Sequence, residues 1–108
     1  MTQYDTLFDP VRVGPVTAPN RFYQVPHACG MGHLRPQAHA AMRGTKARGG
    51  WGVVCTEECE IHPSTDLSPY PEQRLWDERD IPALSLMVDA VHREGSLAGI
   101  ELVHNGHM

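Results

Sequence analysis

The sequence predicts an α/β fold in which a short β-hairpin precedes a βαβαβ unit. Three strand-like segments, residues 21–25, 51–61 and 97–103, are separated by two segments with helical patterns. Both connections are long enough for the strands to pair in parallel. In such folds ligands bind at the carboxyl ends of the strands, so the residues that follow the three strands are the candidates for a site.

The amino-terminal part of the chain is expected to form the hairpin. Valines alternate there with polar residues on both sides of Gly14-Pro15, which favours a turn. The first parallel strand, residues 21–25, is rich in aromatic and β-branched residues. It is expected to end at Pro26, because proline has no N–H to continue a ladder.

The first helix is expected to begin at Pro36, continue through residues 37–48 and stop at Gly49-Gly50. We expect its small apolar residues to form the buried side: Ala38, Ala41, Met42 and Ala47. Gly44 weakens the middle of the helix by about 1 kcal/mol relative to alanine, which indicates close packing against a sheet.

The second strand, residues 51–61, begins with a continuous apolar run that is typical of a strand buried on both faces. It ends in three carboxylates, Glu57, Glu58 and Glu60. Burying them without partners would be costly, so we expect them to meet solvent, a cation or hydrogen-bond donors. A simple solvent-exposed strand end is the alternative.

A long connection, residues 62–79, leads to the second helix, and irregular loops of this length are usually functional or disordered. Asp80 is expected to cap a helix over residues 81–94. Its apolar residues recur at intervals of three and four: Leu84, Met87, Val88 and Val91. The third strand, residues 97–103, is followed by His104-Asn105-Gly106-His107.

Composition excludes several classes of function. The formal net charge is −4 and the lysine and arginine residues are scattered, which argues against nucleic-acid binding. Apolar runs are much shorter than the roughly 18 residues of a spanning helix, and residues 1–10 have no leader pattern, so we expect a soluble cytoplasmic chain with no membrane partner. Cysteines number three and histidines seven, all dispersed, so we expect free thiols and no metal-ligand set.

Several separated motifs resemble those of the old yellow enzyme superfamily of NADH:flavin oxidoreductases. They are N-R-F-Y-Q-V-P-H at 20–27, G-G-W at 49–51, T-E at 56–57, W-D at 76–77 and E-L-x-H-x-G at 101–106. Two further motifs, L-W-D-E and L-A-G-I-E-L, make the chain most similar to the trimethylamine dehydrogenase group of that superfamily.

The resemblance implies an FMN-containing (β/α)₈ TIM barrel. A closed barrel needs roughly 250 residues, so residues 1–108 would be its incomplete N-terminal portion. Full-length members of the group continue with five more barrel units, a four-iron four-sulfur (4Fe-4S) cluster and dinucleotide-binding domains. Catalytic residues and cluster ligands are therefore expected beyond Met108. The fragment alone would be inactive, and the full-length protein is expected to be a homo-oligomer.

By the family pattern, the residues that bind FMN follow all three strands: Val25, Pro26, His27, Ala28, Glu58 and Glu101. In the amine dehydrogenases, a cysteine directly after the P-H pair bonds covalently to FMN. That position is Ala28 here, and the cysteine follows at Cys29. Because a one-residue slip along an extended strand reverses the direction of the side chain, we expect non-covalent FMN.

The expected substrate is a small secondary or primary amine. Glu58 occupies the position at which trimethylamine dehydrogenase has a tyrosine of its aromatic cage. A carboxylate suits an ammonium that bears N–H groups, whereas aromatic faces suit a fully alkylated one. Glu58 and His104 are the candidate substrate residues. Electrons would pass from flavin to the iron-sulfur cluster and then to an acceptor.

Two alternatives remain open. His104 in the E-L-x-H-x-G motif favours an NAD(P)H-dependent enoate reductase of the old yellow enzyme type. The other alternative is a non-catalytic fragment that acts only in assembly or binding. Three barrel strands leave two unpaired edges and one bare sheet face, so such a fragment would tend to associate with another surface.

Overall fold

An antiparallel hairpin precedes a parallel sheet in the computed structural model, which describes residues 2–107. The strands are β1 (Val11–Val13), β2 (Val16–Ala18), β3 (Tyr23–Gln24), β4 (Val53–Glu60), β5 (Gln73–Arg74) and β6 (Leu97–Val103). The α-helices are α1 (Pro36–Arg48) and α2 (Ile81–Arg93), and 3-10 turns span Asp5–Phe8 and Glu78–Asp80.

Strand β4 is the centre of the parallel sheet. It pairs with β3 near its start, with β6 along most of its length, and with the short strand β5 beside Cys59 and Glu60. The predicted hairpin and the parallel βαβαβ order are therefore confirmed. Strand β3 is shorter than the predicted segment 21–25, and β5 lies within the connection that was expected to be irregular.

The core occupies both faces of β4. Helices α1 and α2 cover one face, where Val54 packs with Met87 and Val91 of α2 and with two alanines of α1. On the other face the hairpin contributes Ala18, which packs with Val53 and Cys55 of β4. The hairpin thus covers the amino-terminal part of the sheet and leaves the carboxyl ends of the strands free of it.

The apolar side that was expected for α1 is confirmed for Ala47 and wrong for the other three residues. Ala38 and Ala41 are exposed and Met42 is half-buried. The buried residues of the helix are His39, Ala40, Arg43, Gly44 and Ala47. His39 and Arg43 are polar, and they can be buried because their side chains hydrogen-bond to each other and Arg43 also bonds to the loop after β3. A pattern of hydrophobic residues therefore cannot identify this side of the helix.

The close packing predicted at Gly44 exists, but its partner is a helix and not the sheet. A Cβ atom at Gly44 would lie 3.3 Å from the Cβ of Ala90 in α2. Helix α1 therefore approaches α2 closely at this point, and the two helices cross over β4 as a pair.

The role expected of Asp80 is also wrong in part. Its side chain accepts hydrogen bonds from the amides of Trp76 and Asp77 and pairs with Arg74 at 3.2 Å, so it caps the preceding 3-10 turn and not α2. Asp80 already has helical backbone angles, which direct its side chain away from the first turn of α2. The apolar stripe of α2 is confirmed, with Leu84, Met87 and Val91 buried.

The helices of residues 2–107 are too short and too polar for a membrane span.

Candidate functional site

The carboxyl ends of β3, β4 and β6 meet at one edge of the sheet, which we call the carboxyl-end rim (residues 25–32, 57–60 and 101–107). Glu58 of β4 lies beside Glu101 of β6 in the ladder. Between Cys55 and Glu58 strand β4 has one residue more than β6, and such a bulge bends the strand and redirects its side chains. All the predicted site residues lie on this rim.

Glu57 is fully buried below the loop that follows β3. Its carboxylate accepts hydrogen bonds from the backbone amides of Cys29 (3.0 Å), Gly30 (2.8 Å) and Gly32 (2.6 Å). Burial raises the pKa of Glu57, but the three amides and the Cys29 thiol outweigh it, so its pKa is lowered overall. Glu57 is therefore an anion bound by hydrogen-bond donors, which is one of the outcomes predicted for these carboxylates.

Arg43 reaches the same loop from α1 and is fully buried. Its guanidinium donates to the carbonyl of His27 (2.5 Å), to Gln24 Oε1 (3.4 Å) and to His39 Nε2 (3.1 Å). Burial and the nearby Arg43 charge lower the pKa of His39 to about 4, so His39 is neutral near pH 7. The loop of residues 27–32 is thus hydrogen-bonded to a buried anion, Glu57, and to a buried cation, Arg43.

Glu58 and Glu60 are joined through one amide. Asn105 Nδ2 donates to Glu58 Oε2 at 2.5 Å and to Glu60 Oε1 at 2.6 Å. The Thr65 hydroxyl donates to the other oxygen of Glu60 at 2.5 Å. Glu60 is buried and Glu58 is half-buried, so the alternative of a simple solvent-exposed strand end is wrong for Glu57 and Glu60.

A cavity of about 260 Å³ opens beside these carboxylates. It is lined by Glu58, Glu60, Asp66, Ser68, Pro69, Tyr70, Glu72 and Asn105. Burial and the charge of Glu58 raise the pKa of Glu72 to about 7. Among the described residues that line the cavity none is basic, so its electrostatic character suits a cation.

The remaining predicted residues lie on the rim but do not line this cavity. Val25, His27 and Ala28 are exposed, Pro26 is half-buried, and Glu101 is exposed next to Glu58. His104 is exposed and its Nε2 lies 2.9 Å from the Ser64 hydroxyl, outside the cavity lining. The structure thus brings Glu58 and Glu101 together but does not bring His104 into the same cavity.

Sequence reasoning missed the buried polar residues of α1. His39 and Arg43 are four residues apart, which places them on one side of a helix. The small residues Ala40, Gly44 and Ala47 share that side, and this combination of two polar and three small residues is the signal that could have identified it. Asn105, Thr65 and Glu72 were also missed. Asn105 bonds to Glu58, Glu60 and Thr65, which lie 40 or more positions earlier in the chain.

Donor atoms of Cys29, His39 and Glu57 lie within 4.8 Å of one another, closer than the dispersed sequence positions suggested. Several of their polar atoms are hydrogen-bonded, whereas His39 Nδ1 is buried without a hydrogen-bond partner among the described residues. Arg43 donates to His39, and the Cys29 thiol donates to Glu57 Oε2 at 3.5 Å. Burial raises the pKa of Cys29, so this thiol is protonated near neutral pH. The Arg43 guanidinium contacts both His39 and Cys29, and its positive charge would repel a metal cation bound to these residues.

Residues 6–108 match the NADH:flavin oxidoreductase / NADH oxidase family. The chain belongs to this family. It is 50% identical over 104 residues to dimethylamine dehydrogenase of Hyphomicrobium sp. (strain x). The aligned region covers 96% of this chain and 14% of that protein. Among solved structures it is similar to histamine dehydrogenase from Rhizobium sp. 4-9, with a TM-score of 0.90, 53% identity and coverage of 95% of this chain and 15% of that one.

It is also similar to 6-hydroxypseudooxynicotine amine oxidase from Pseudomonas geniculata N1. The TM-score is 0.89 at 50% identity, over 94% of this chain and 15% of that one. The family resemblance, the likeness to flavin amine dehydrogenases and the partial-barrel α/β fold are thereby confirmed. The chain spans only about a seventh of the length of these relatives.

The family implies a flavin, and the loop after β3 fits one. Side chains of Val25, His27 and Ala28 are exposed there. Within residues 2–107, the backbone amides of His27 and Ala28 have no hydrogen-bond acceptor, whereas those of Cys29 and Gly30 are engaged by Glu57. Two free amide donors on an exposed loop suit the heteroatom edge of an isoalloxazine ring.

Proposed function

We propose that this chain is the amino-terminal part of the FMN-binding TIM-barrel domain of a cytoplasmic amine dehydrogenase. The substrate is a small secondary or primary amine. The observation that carries the proposal is the acidic cavity at the carboxyl-end rim, in which Glu58 is the half-buried carboxylate. The 50% identity to dimethylamine dehydrogenase supports the same class of reaction.

FMN would be held along the exposed part of the loop after β3. Val25, Pro26, His27 and Ala28 would line it, with the amides of His27 and Ala28 donating to ring acceptors. Glu58 and Glu101 would border the ring from β4 and β6. When bound, the flavin supplies the acceptor for the hydride equivalent, and the protein supplies orientation and electrostatics.

Glu58 would orient the amine by accepting hydrogen bonds from its N–H groups. Asn105 donates to one oxygen of Glu58, and the ammonium would share this carboxylate with the side chain of Glu72, which also hydrogen-bonds to it. Burial and the charge of Glu58 raise the pKa of Glu72 to about 7, and a cation beside it would favour its ionised form. Glu72 can therefore release a proton when the substrate cation enters. His104 would act outside the cavity, as a candidate substrate contact at its approach.

The FMN would be non-covalent. The thiol of Cys29 is directed to Glu57 below the loop, and the preceding residue, Ala28, is exposed and carries no nucleophile. Mass spectrometry of the acid-denatured full-length protein is expected to show free FMN and an unmodified Cys29 peptide. A flavin adduct on Cys29 would contradict this part of the proposal.

Electrons would leave the flavin through a 4Fe-4S cluster and pass to an external acceptor. The cluster ligands would lie outside this chain, in a full-length homo-oligomer. Iron and acid-labile sulfide analysis of the full-length product is the direct check. An iron-free product that still oxidises amines would remove the cluster from the proposal and leave the amine chemistry in place.

The deciding experiment is an FMN titration followed by visible absorption, on this chain and on the longest product of its gene. The long product is expected to be yellow and to bleach anaerobically with a secondary or primary amine. A Glu58→Gln variant is expected to need a higher amine concentration, whereas Glu94→Gln, on the far side of the fold, is the control. Absence of flavin binding in both proteins would refute the proposal.

The same titration separates the alternatives. Bleaching by NAD(P)H and reoxidation by an enone, without bleaching by amines, would favour the enoate reductase. A 108-residue chain that melts cooperatively as a monomer and binds no flavin would favour the non-catalytic fragment.

A further inference from the structure

We infer that Arg43 and Glu57 are positioning residues that together fix the loop of residues 27–32 from below and so set the position of the backbone that meets FMN. This inference rests on the proposed function, because that proposal makes the loop the flavin contact. Neither residue is offered as a flavin ligand. Both act through the loop, one on its carbonyl oxygen and the other on its amides.

Glu57 forms hydrogen bonds with the carboxyl-terminal half of the loop. Oε1 accepts from Cys29 and Gly30, and Oε2 accepts from Gly32, so both carboxylate oxygens are engaged. Hydrogen bonds to a charged acceptor are stronger than those to a neutral one. Since Glu57 belongs to β4, the loop is tied to the central strand of the sheet.

Arg43 forms a hydrogen bond with the other end of the loop. One nitrogen donates to the carbonyl of His27, a second to Gln24 in β3, and Nε to His39 one turn earlier in α1. Three nitrogens of the buried guanidinium are thus directed to three different groups. The start of the loop is held between β3 and α1, and its peptide planes have a defined orientation there.

The two charges bind the loop and not each other. Among residues 2–107, Arg43 and Glu57 form no ion pair. A buried charge without a direct counter-ion is costly unless hydrogen bonds compensate it. Three loop amides compensate Glu57, and the loop carbonyl of His27, together with Gln24 and His39, compensates Arg43. Moving the loop would therefore remove the backbone hydrogen bonds of Glu57 and the His27 bond of Arg43. This energetic link is what makes them positioning residues and not merely buried polar ones.

The loop also fits closely over the carboxylate. A Cβ atom at Gly32 would lie 2.7 Å from Glu57 Oε2 and in severe overlap with the amide oxygen of Gln73. Gly30 has a φ of +70°, a backbone conformation that side chains rarely adopt. Because these two positions are glycine, the backbone can approach Glu57 closely. The amides of His27 and Ala28, which have no hydrogen-bond acceptor among the described residues, remain on the exposed side.

The test uses the full-length flavoprotein and the variant Glu57→Gln. Glutamine keeps one carbonyl oxygen for Cys29 and Gly30 but places an NH₂ group against the amide of Gly32. We expect about tenfold weaker FMN binding, because the bond from Gly32 is lost and the bonds from Cys29 and Gly30 lose their charged acceptor. We also expect a shift in the flavin absorption bands and faster hydrogen exchange at the loop amides.

Val91→Ala is the matched control, because it opens a cavity in the helix-side core and does not touch the loop. It is expected to lower the melting temperature while leaving FMN affinity, flavin bands and loop exchange unchanged. Arg43→Lys is the second variant. Lysine keeps the charge but loses the planar set of donors, so weaker FMN binding is expected here also, and this variant decides the matter if Glu57→Gln does not fold.

Unchanged FMN affinity, bands and loop exchange in the positioning variants would overturn the inference and leave the proposed function intact. Equal losses in Val91→Ala would overturn it too, since the effect would then follow global stability. If the wild-type protein binds no FMN, the proposed function fails together with the flavin part of the inference. Hydrogen exchange at the amides of Cys29, Gly30 and Gly32 then still decides whether the two residues hold the loop.

Discussion

Gly44 in α1 faces Ala90 in α2 at van der Waals distance, and this contact sets how closely the two helices approach. A Cβ atom at Gly44 would already lie 3.3 Å from the Cβ of Ala90. The γ-carbons of a larger residue would have to displace α2, and α1 carries Arg43 directly beside Gly44. The spacing of the helices therefore bears on the position of the loop after β3.

Gly44→Val is expected to destabilise the protein by about 1–3 kcal/mol through overpacking, in spite of the low helix propensity of glycine. The measurement is the free energy of unfolding from chemical denaturation. Ala41→Val is the control, because Ala41 is exposed on the same helix and its substitution costs only about 0.5 kcal/mol of helix propensity. Equal losses in the two variants would show that the contact with Ala90 has no effect on stability.

Gly99 of β6 packs closely against Cys55 of β4. A Cβ atom at Gly99 would lie 2.6 Å from Cys55 Sγ. Gly99→Ala is therefore expected to cost about 1–3 kcal/mol in the wild-type background, and distinctly less in a Cys55→Ala background, which removes the sulfur. A double-mutant cycle of unfolding free energies measures this coupling. Strict additivity of the two substitutions would contradict it.

His39 predicts a loss of stability in mild acid. Burial and Arg43 lower its pKa from 6.5 to about 4, so between these values the unfolded chain binds a proton that the folded protein does not. The stability that His39 contributes is thus present above pH 6.5 and is lost as the pH falls toward 4. His39→Gln is expected to flatten this part of the stability profile. His92→Gln, at an exposed histidine of α2, is expected to leave it unchanged.

Glu72 predicts an opposite trend in the same pH range. Burial and Glu58 raise its pKa from 4.5 to about 7, so the folded protein keeps a proton that the unfolded chain has released. Stability from this group falls as the pH rises from 4.5 through 7. Glu72→Gln is expected to raise the melting temperature at pH 8 and to change little at pH 4. Glu78→Gln, at an exposed carboxylate, serves as the control. A lower melting temperature for Glu72→Gln at pH 8 would contradict the prediction.

Local signals in the sequence predicted the helices and β6 well. Pro36 and the glycines after Arg48 delimit α1, and β6 is a largely apolar segment that begins shortly after Gly95, because these signals act within a few residues. The α/β order followed from them. The carboxyl-end rim was also predictable, since parallel strands place their carboxyl ends together.

What the sequence did not predict depends on partners far along the chain. Strand β5 has two residues and exists only because β4 offers it an edge. Arg43 is an arginine that any composition rule would place in solvent, yet the His27 carbonyl and Gln24 satisfy it inside. Glu57 is similar, because its donors come from a loop 25 to 28 positions earlier.

Glu57 and Glu58 are consecutive in β4, yet they have separate tasks. Glu57 is bonded to the loop after β3, whereas Glu58 is bonded to Asn105 at the acidic cavity. If the proposed function holds, substitutions at position 58 would change the preference for an amine while the hydrogen bonds between Glu57 and the loop after β3 remain. Selectivity would then be open to evolutionary change, and to engineering, at one position of an otherwise constrained strand.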